Sequence, residues 1–120
     1  MVKLFAKSAA NAWRGIAFVW RRERNFRIQS SLAILLLIFA VTFRFSFVEL
    51  IAVIFTCAAV LTAELLNTIV EEILDVIEPH YSVHVGRLKD VTAGVVLLLS
   101  LLALIIGALT IAHHFLSVLH

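Results

Sequence analysis

Four acidic side chains and one amide lie in the otherwise largely apolar segment Ala63–Asp75. They are Glu64, Asn67, Glu71, Glu72 and Asp75. At about 100° of rotation per helical residue, all of them except Glu72 fall on one helix face within an arc of roughly 80°. A carboxylate near bilayer hydrocarbon costs at least about 2.5 kcal/mol, so an acidic face in an apolar helix indicates a function rather than packing. We therefore predict that this face forms a catalytic or binding site.

The composition is that of an integral membrane protein. Of the 120 residues, 62% are hydrophobic and 15% are charged, which excludes a disordered chain and a small disulfide-stapled one. The single cysteine, Cys57, lies in an apolar run and allows no intramolecular disulfide. The length suits one domain, so we expect residues 1–120 to form a single membrane domain.

Three apolar stretches predict three transmembrane helices, within residues 28–46, 47–75 and 89–114. Seven of the ten Lys and Arg residues precede the first stretch, and two more lie between the second and the third. By the positive-inside bias, the N-terminus and the second connection are expected to be cytoplasmic, and the C-terminus outside.

Residues 1–22 have the pattern of an amphipathic helix. Apolar side chains recur every three or four residues, at Phe5, Ala9, Trp13, Ile16 and Trp20. Basic and polar side chains gather opposite them, which is typical of a helix lying in an anionic membrane interface. A frayed basic tail is the alternative. The predicted fold is therefore all-α, with three transmembrane helices and an N-terminal surface helix.

Three charged segments are expected on the cytoplasmic side, at residues 23–27, 64–75 and 86–90. Together they offer carboxylates for a hard cation and Arg and Lys side chains for phosphate. Magnesium commonly bridges one or two carboxylates and substrate phosphates, so the set favours Mg²⁺ with a phosphorylated substrate. The sequence contains no P-loop and no protein-kinase motif, so phosphoryl transfer would use another kind of site.

Several elements together resemble the prokaryotic diacylglycerol kinase and undecaprenol kinase family. They are ERNFRIQ at Glu23–Gln29, AELLNTIVE at Ala63–Glu71, Asp75, and KDVTAGVVLL at Lys89–Leu98. The resemblance implies a homotrimeric lipid kinase of the bacterial cytoplasmic membrane. It would use ATP, Mg²⁺ and a membrane lipid alcohol, and no nucleic acid. The ERNFRI form is more similar to the undecaprenol branch, and diacylglycerol is the alternative substrate.

The same resemblance implies roles for individual residues. Glu64 is the expected catalytic base, Asn67 is also catalytic, and Glu23 and Glu71 hold the metal. Nucleotide-binding positions are Lys7, Glu23, Glu71, Tyr81, Gly86, Arg87, Lys89 and Asp90. Lipid-binding positions are Ala9, Trp13, Arg27 and Glu64. We expect Tyr81, Gly86 and Arg87 in the connection after the second span, and an active site built from two protomers.

Two other classes of function stay open from the residues alone. A small oligomeric channel could be lined by the acidic face, although the acids bunch at one end and the third span has no polar stripe. A non-catalytic adaptor would leave the clustered charges unexplained. Simpler interpretations also apply to single residues: Glu72 as a solvated acid, Arg22 as a topology signal, Trp13 as an interfacial anchor, and His113 and His114 as polar termination.

Overall fold

The computed structural model describes residues 1–119, and the regular structure of this part of the chain is entirely helical. Four helices follow one another: α1 Val2–Arg22, α2 Arg24–Thr42, α3 Phe47–Ile77 and α4 Val83–Val118. The prediction of an all-α chain is confirmed.

Three of these helices, α2, α3 and α4, are long and apolar enough to cross a membrane, as the sequence predicted. They contain 19, 31 and 36 residues. A helix of about 20 residues crosses the hydrocarbon, so α3 and α4 are long enough to extend beyond it. The additional length allows α3 to carry both an apolar segment and the polar residues near its end.

Helix α3 organises the bundle, because it packs against both α2 and α4. A small apolar cluster joins these helices near one end and includes Ala40, Phe45 and Val53. Among residues 1–119, no large side chain is fully buried, and most large apolar side chains of the three long helices are exposed. Such surfaces are suited to contact with lipid or with further helices rather than with water.

The connection between α2 and α3 is specified locally. Arg44 has φ 57, and Phe45 N donates to Ala40 O at 2.9 Å, which together form the helix-ending Schellman arrangement. Ser46 then starts α3 with a capping box, since its hydroxyl accepts from Glu49 N while Glu49 Oε2 accepts from Ser46 N. These caps fix a short, defined turn between two antiparallel helices.

Helix α1 ends at a sharp break rather than continuing into α2. Glu23, between the two helices, has extended backbone angles (φ −94, ψ 112). Its amide nevertheless donates to Val19 O at 2.7 Å. Val19 is the one buried residue of α1, and most of the helix is exposed. The interfacial position expected for residues 1–22 stays a prediction.

The expectation that Gly86 and Arg87 lie in a loop is wrong. Both belong to the first turns of α4, which begins at Val83, and Gly86 N donates to Ser82 O at 2.9 Å. A glycine costs only about 1 kcal/mol relative to alanine within a helix, which a helix of this length tolerates. Only residues 78–82, including Tyr81, connect α3 to α4.

Candidate active site

Glu64 is buried in the middle of α3, with only 3% of its surface exposed. Its carboxylate accepts a hydrogen bond from Gln29 Nε2 of α2 at 3.5 Å. The backbone oxygen of Glu64 accepts from the hydroxyl of Thr68, one turn later, at 3.0 Å. The carboxylate thus sits between α2 and α3.

Gln29 was not among the site residues predicted from the sequence. It is a polar residue at the start of an apolar stretch and lies in the matched segment ERNFRIQ, which is the signal that could have indicated it. Its amide nitrogen points to Glu64, while Oε1 is buried without a hydrogen-bond partner. A buried acceptor of this kind suits a hydroxyl or water donor, because an unpaired buried polar atom is costly.

Asn67 and Glu71 lie about one and two helical turns after Glu64 on the acidic face. Asn67 Nδ2 donates to Glu71 Oε1 at 3.1 Å, while Asn67 Oδ1 is buried and has no partner. The Glu23 and Glu71 carboxylates both interact electrostatically with that of Glu64. Within a single chain, Glu23 of the α1–α2 break and Glu71 of α3 are therefore both near enough to Glu64 to influence its charge.

Two ion pairs border this acidic group. Lys89 Nζ of α4 lies 2.5 Å from Asp75 Oδ1 of α3. Arg22 Nη1 of α1 lies 2.6 Å from Glu72 Oε1 of α3. Glu72 is thus a half-exposed acid with a cation partner, and Arg22 contacts α3 whatever its part in topology. The sequence indicates the Arg22–Glu72 pair only through opposite charge, which does not identify which of several cations lies near Glu72.

Arg27 is held by the end of α1. Its Nη1 donates to the backbone oxygens of Trp20 and Arg21, each at 3.0 Å. A cation at this place is favourable, since the last carbonyls of a helix lack partners within the helix. In this chain Arg27 therefore stabilises the α1–α2 break, whereas the resemblance implies contact with lipid.

Several predicted site residues lie apart from the acidic group. Lys7, Ala9 and Trp13 are exposed on α1, and Tyr81 is exposed in the connection before α4. Within residues 1–119, no hydrogen bond or ion pair links their side chains to Glu23, Glu64 or Glu71. Arg87 and Asp90 are exposed on the first turns of α4, close in sequence to the Lys89–Asp75 ion pair.

An apolar cleft of about 280 Å³ opens between α2, α3 and α4. Gln29 lines it, and the remaining lining is mostly aliphatic, from Leu32 on α2 to Thr110 on α4. Gln29 thus lines the cleft and also donates to the buried Glu64 carboxylate. The arrangement places an apolar space next to a proton acceptor.

Glu23 and Glu71 are the residues predicted to hold magnesium. No group of three His, Cys, Asp or Glu side chains is gathered for a metal among residues 1–119. Glu23 and Glu71 instead offer two carboxylates, and the second oxygen of Glu71 is not held by Asn67. Magnesium commonly takes one or two protein carboxylates with phosphate and water, so this donor set fits Mg²⁺ bound together with a nucleotide.

Comparison with known proteins shows the family to which this sequence is similar. The family model for prokaryotic diacylglycerol kinase matches residues 10–111. The undecaprenol kinase of Bacillus subtilis strain 168 is 32% identical over 105 residues, covering 88% of this chain and 85% of the relative. The diacylglycerol kinase of Escherichia coli K12 is 27% identical over 109 residues, covering 91% and 89%.

A further relative is named diacylglycerol kinase, from Synechocystis sp. strain PCC 6803. It is 30% identical over 97 residues, covering 80% of this chain and 55% of the relative. The matches and the three apolar helices confirm the predicted class of enzyme, a membrane kinase with an alcohol acceptor. The chain belongs to the prokaryotic diacylglycerol kinase family, a family of lipid kinases.

Proposed function

We propose that this protein transfers the γ-phosphate of ATP to the hydroxyl group of a membrane lipid alcohol, with undecaprenol as the substrate. Diacylglycerol is the second candidate. The single observation that carries the proposal is the buried Glu64 carboxylate, held by Gln29 beside an apolar cleft and next to the Asn67–Glu71 pair. A proton acceptor in this position meets an alcohol from the apolar side and phosphate from the charged side.

The reaction requires a base, and Glu64 is the group we assign. Its carboxylate accepts the proton of the lipid hydroxyl while that oxygen forms a bond to the γ-phosphorus. The bond between this phosphorus and the β–γ bridging oxygen breaks, and ADP leaves. The buried amide oxygens of Gln29 and Asn67 are acceptors that orient hydroxyl or water donors around the reacting groups.

Glu23 and Glu71 are the residues that would hold magnesium. When bound with ATP, the ion supplies charge neutralisation at the phosphates, which is the main electrostatic requirement of phosphoryl transfer. Asn67 keeps one oxygen of Glu71 in a fixed orientation at 3.1 Å. We place the nucleotide among Lys7, Tyr81, Gly86, Arg87, Lys89 and Asp90, and the lipid at Ala9, Trp13, Arg27 and Glu64.

The membrane arrangement follows from the charge distribution. We place the N-terminus on the cytoplasmic side and the C-terminus outside, with residues 1–22 as an amphipathic helix in the interface. The spans lie within residues 28–46, 47–75 and 89–114 of a single domain. This arrangement puts the charged ends of α3 and α4 where ATP is available, in a bacterial cytoplasmic membrane.

A homotrimer would bring α1 residues of one chain to the acidic group of another. The acidic group is assembled within a single chain, whereas Lys7, Ala9 and Trp13 are exposed on α1 without contacts to it. We propose that α1 of a neighbouring protomer completes each site. The exposed apolar surfaces of α2, α3 and α4 provide area for such packing.

Two observations favour undecaprenol over diacylglycerol. The chain is 32% identical to the B. subtilis undecaprenol kinase and 27% identical to the E. coli diacylglycerol kinase. It also has the ERNFRI form at residues 23–28. The aliphatic cleft beside Gln29 accommodates a hydrocarbon tail without polar selection, so slower phosphorylation of diacylglycerol is expected as well.

Side-by-side phosphorylation of the two lipids tests the proposal. The purified protein receives Mg²⁺ and γ-labelled ATP in mixed micelles with either lipid at equal mole fraction, and labelled lipid is measured. Glu64→Gln should lower the rate by about 100- to 10,000-fold, the usual loss on removing a general base. A folded Glu64→Gln protein that keeps most of its rate would remove Glu64 from this role, and faster labelling of diacylglycerol would reverse the substrate assignment.

A further inference from the structure

The Arg22–Glu72 ion pair ties the end of α1 to α3, beside the carboxylates assigned to magnesium. Arg22 Nη1 lies 2.6 Å from Glu72 Oε1. On the same guanidinium, Nε lies 3.9 Å from Glu23 Oε1, and Cζ lies 5.7 Å from the centre of the Phe18 ring. One cation therefore contacts α1, the α1–α2 break and α3.

The neighbours of this pair along the chain are the two metal-binding candidates. Glu23 directly follows Arg22, and Glu71 directly precedes Glu72. Glu23 has extended backbone angles and belongs to neither helix. Its position relative to α3 therefore depends on the contacts at the break, and within residues 1–119 Arg22–Glu72 is the ion pair that joins α1 to α3.

Electrostatic repulsion acts against this arrangement. The Glu23 and Glu71 carboxylates each act on that of Glu64, and like charges repel. Before a cation binds, this repulsion favours movement of Glu23 away from α3. The attraction between Arg22 and Glu72 opposes that movement without occupying an oxygen of Glu71.

We propose that Arg22 and Glu72 are positioning residues that hold Glu23 and Glu71 together for the magnesium–nucleotide complex. The inference rests on the proposed function, since it takes Glu23 and Glu71 as the metal-binding carboxylates. The two side chains are 50% and 39% exposed, so solvent screens the pair. Exposed ion pairs of this kind have small effects, and we expect loss of either partner to weaken Mg²⁺–ATP binding by about two- to fivefold.

Two single variants separate positioning from a general effect of charge. Arg22→Gln makes this region more negative by one charge, and Glu72→Gln makes it less negative by one. A role through local charge alone predicts opposite changes in magnesium affinity. Positioning predicts the same change in both: a higher KM for Mg²⁺–ATP with kcat nearly unchanged. The double variant Arg22→Glu/Glu72→Arg, which exchanges the partners, should restore the wild-type KM.

Matched controls come from neighbouring side chains. Arg21→Gln and Glu78→Gln change the charge by the same amounts, and the side chains of Arg21 and Glu78 form no hydrogen bond or ion pair within residues 1–119. Both controls should keep the wild-type KM. Calorimetric titration of each variant with Mg²⁺ and a non-hydrolysable ATP analogue gives the same comparison without turnover.

A third measurement needs neither metal nor nucleotide. Spin labels at Ser8 of α1 and Val76 of α3, in a Cys57→Ala background and diluted with unlabelled chains, report the distance between the two helices. Both residues are exposed. We expect a narrow distance distribution with the native pair, a broader one in Arg22→Gln and Glu72→Gln, and a narrow one again after the charge exchange.

The outcomes distinguish the positioning role from the proposed function. Three results would each overturn the positioning role while wild-type turnover stands. They are opposite KM shifts in the two single variants, unchanged affinity and distance in both, and no recovery of the wild-type KM on charge exchange. A wild-type protein that phosphorylates neither lipid would instead overturn the proposed function.

Discussion

His114 connects the end of α4 to the start of α3, because its Nδ1 lies 3.0 Å from Glu49 Oε2. Its Nε2 lies 3.0 Å from the backbone oxygen of Phe43, just after α2. Carboxylate and carbonyl oxygens only accept, so both contacts are hydrogen bonds when both ring nitrogens carry protons. The ring also stacks on Phe45, with centroids 4.2 Å apart. The interpretation of His114 as simple polar termination is therefore wrong.

Loss of this connection should destabilise the end of the bundle at which Glu49 lies. His114→Ala removes the polar contacts with Glu49 and Phe43 O from a residue that is 7% exposed, which we expect to lower the free energy of unfolding by about 2 kcal/mol. His113 is the matched control: its Nδ1 lies 3.1 Å from the same Glu49 carboxylate, but its side chain is 76% exposed. His113→Ala should have little effect. Thermal unfolding in detergent measures both, and equal losses would contradict the distinction.

Removing either proposed metal ligand should change the magnesium dependence of the kinase. Glu23→Ala and Glu71→Ala each delete a carboxylate, so the magnesium concentration for half-maximal rate should rise by about tenfold or more. Glu78→Ala is a control, since it removes an exposed acid whose side chain forms no hydrogen bond or ion pair within residues 1–119. Rates of Glu23→Ala and Glu71→Ala that follow the wild-type magnesium curve would count against metal binding at these positions.

The proposed orientation predicts which positions react with reagents added from each side. Cysteines at Ser82 and Ser117, each in a Cys57→Ala background, test the two ends of α4. A membrane-impermeant thiol reagent should label position 82 from the cytoplasm and position 117 from outside. Ser82 makes no side-chain cap hydrogen bond, so its replacement should disturb α4 little. Labelling of both positions from the same side would contradict three membrane spans.

A site completed by a neighbouring protomer predicts complementation between variants. The acidic group lies within one chain, so Glu64→Gln should be paired with a variant of α1, Lys7→Glu, which is exposed and apart from that group. In mixed trimers, about a quarter of the sites would combine an intact Glu64 with an intact Lys7 of the neighbour. Mixing Glu64→Gln with Glu23→Ala is the control and should not restore activity. Inactive Glu64→Gln/Lys7→Glu trimers would show that each site is built within one chain.

The sequence determined the helices and the acidic face of this protein. Apolar stretches of 16 residues or more, separated by short polar connections, are sufficient to predict α2, α3 and α4, because hydrocarbon requires backbone groups to bond within the helix. The spacing of Glu64, Asn67 and Glu71 places them on one face by helix geometry alone. The Asn67–Glu71 hydrogen bond between residues four apart follows from the same periodicity.

Only the tertiary structure decided which distant residues meet. The contacts Gln29–Glu64, Arg22–Glu72 and His114–Glu49 join residues that are 35, 50 and 65 positions apart. Helical periodicity sets the face on which each residue lies, but not the rotation of one helix against another or the direction of the chain at the α1–α2 break. Those depend on how α2 and α4 pack against α3, and the small residues and short connections permit more than one such packing.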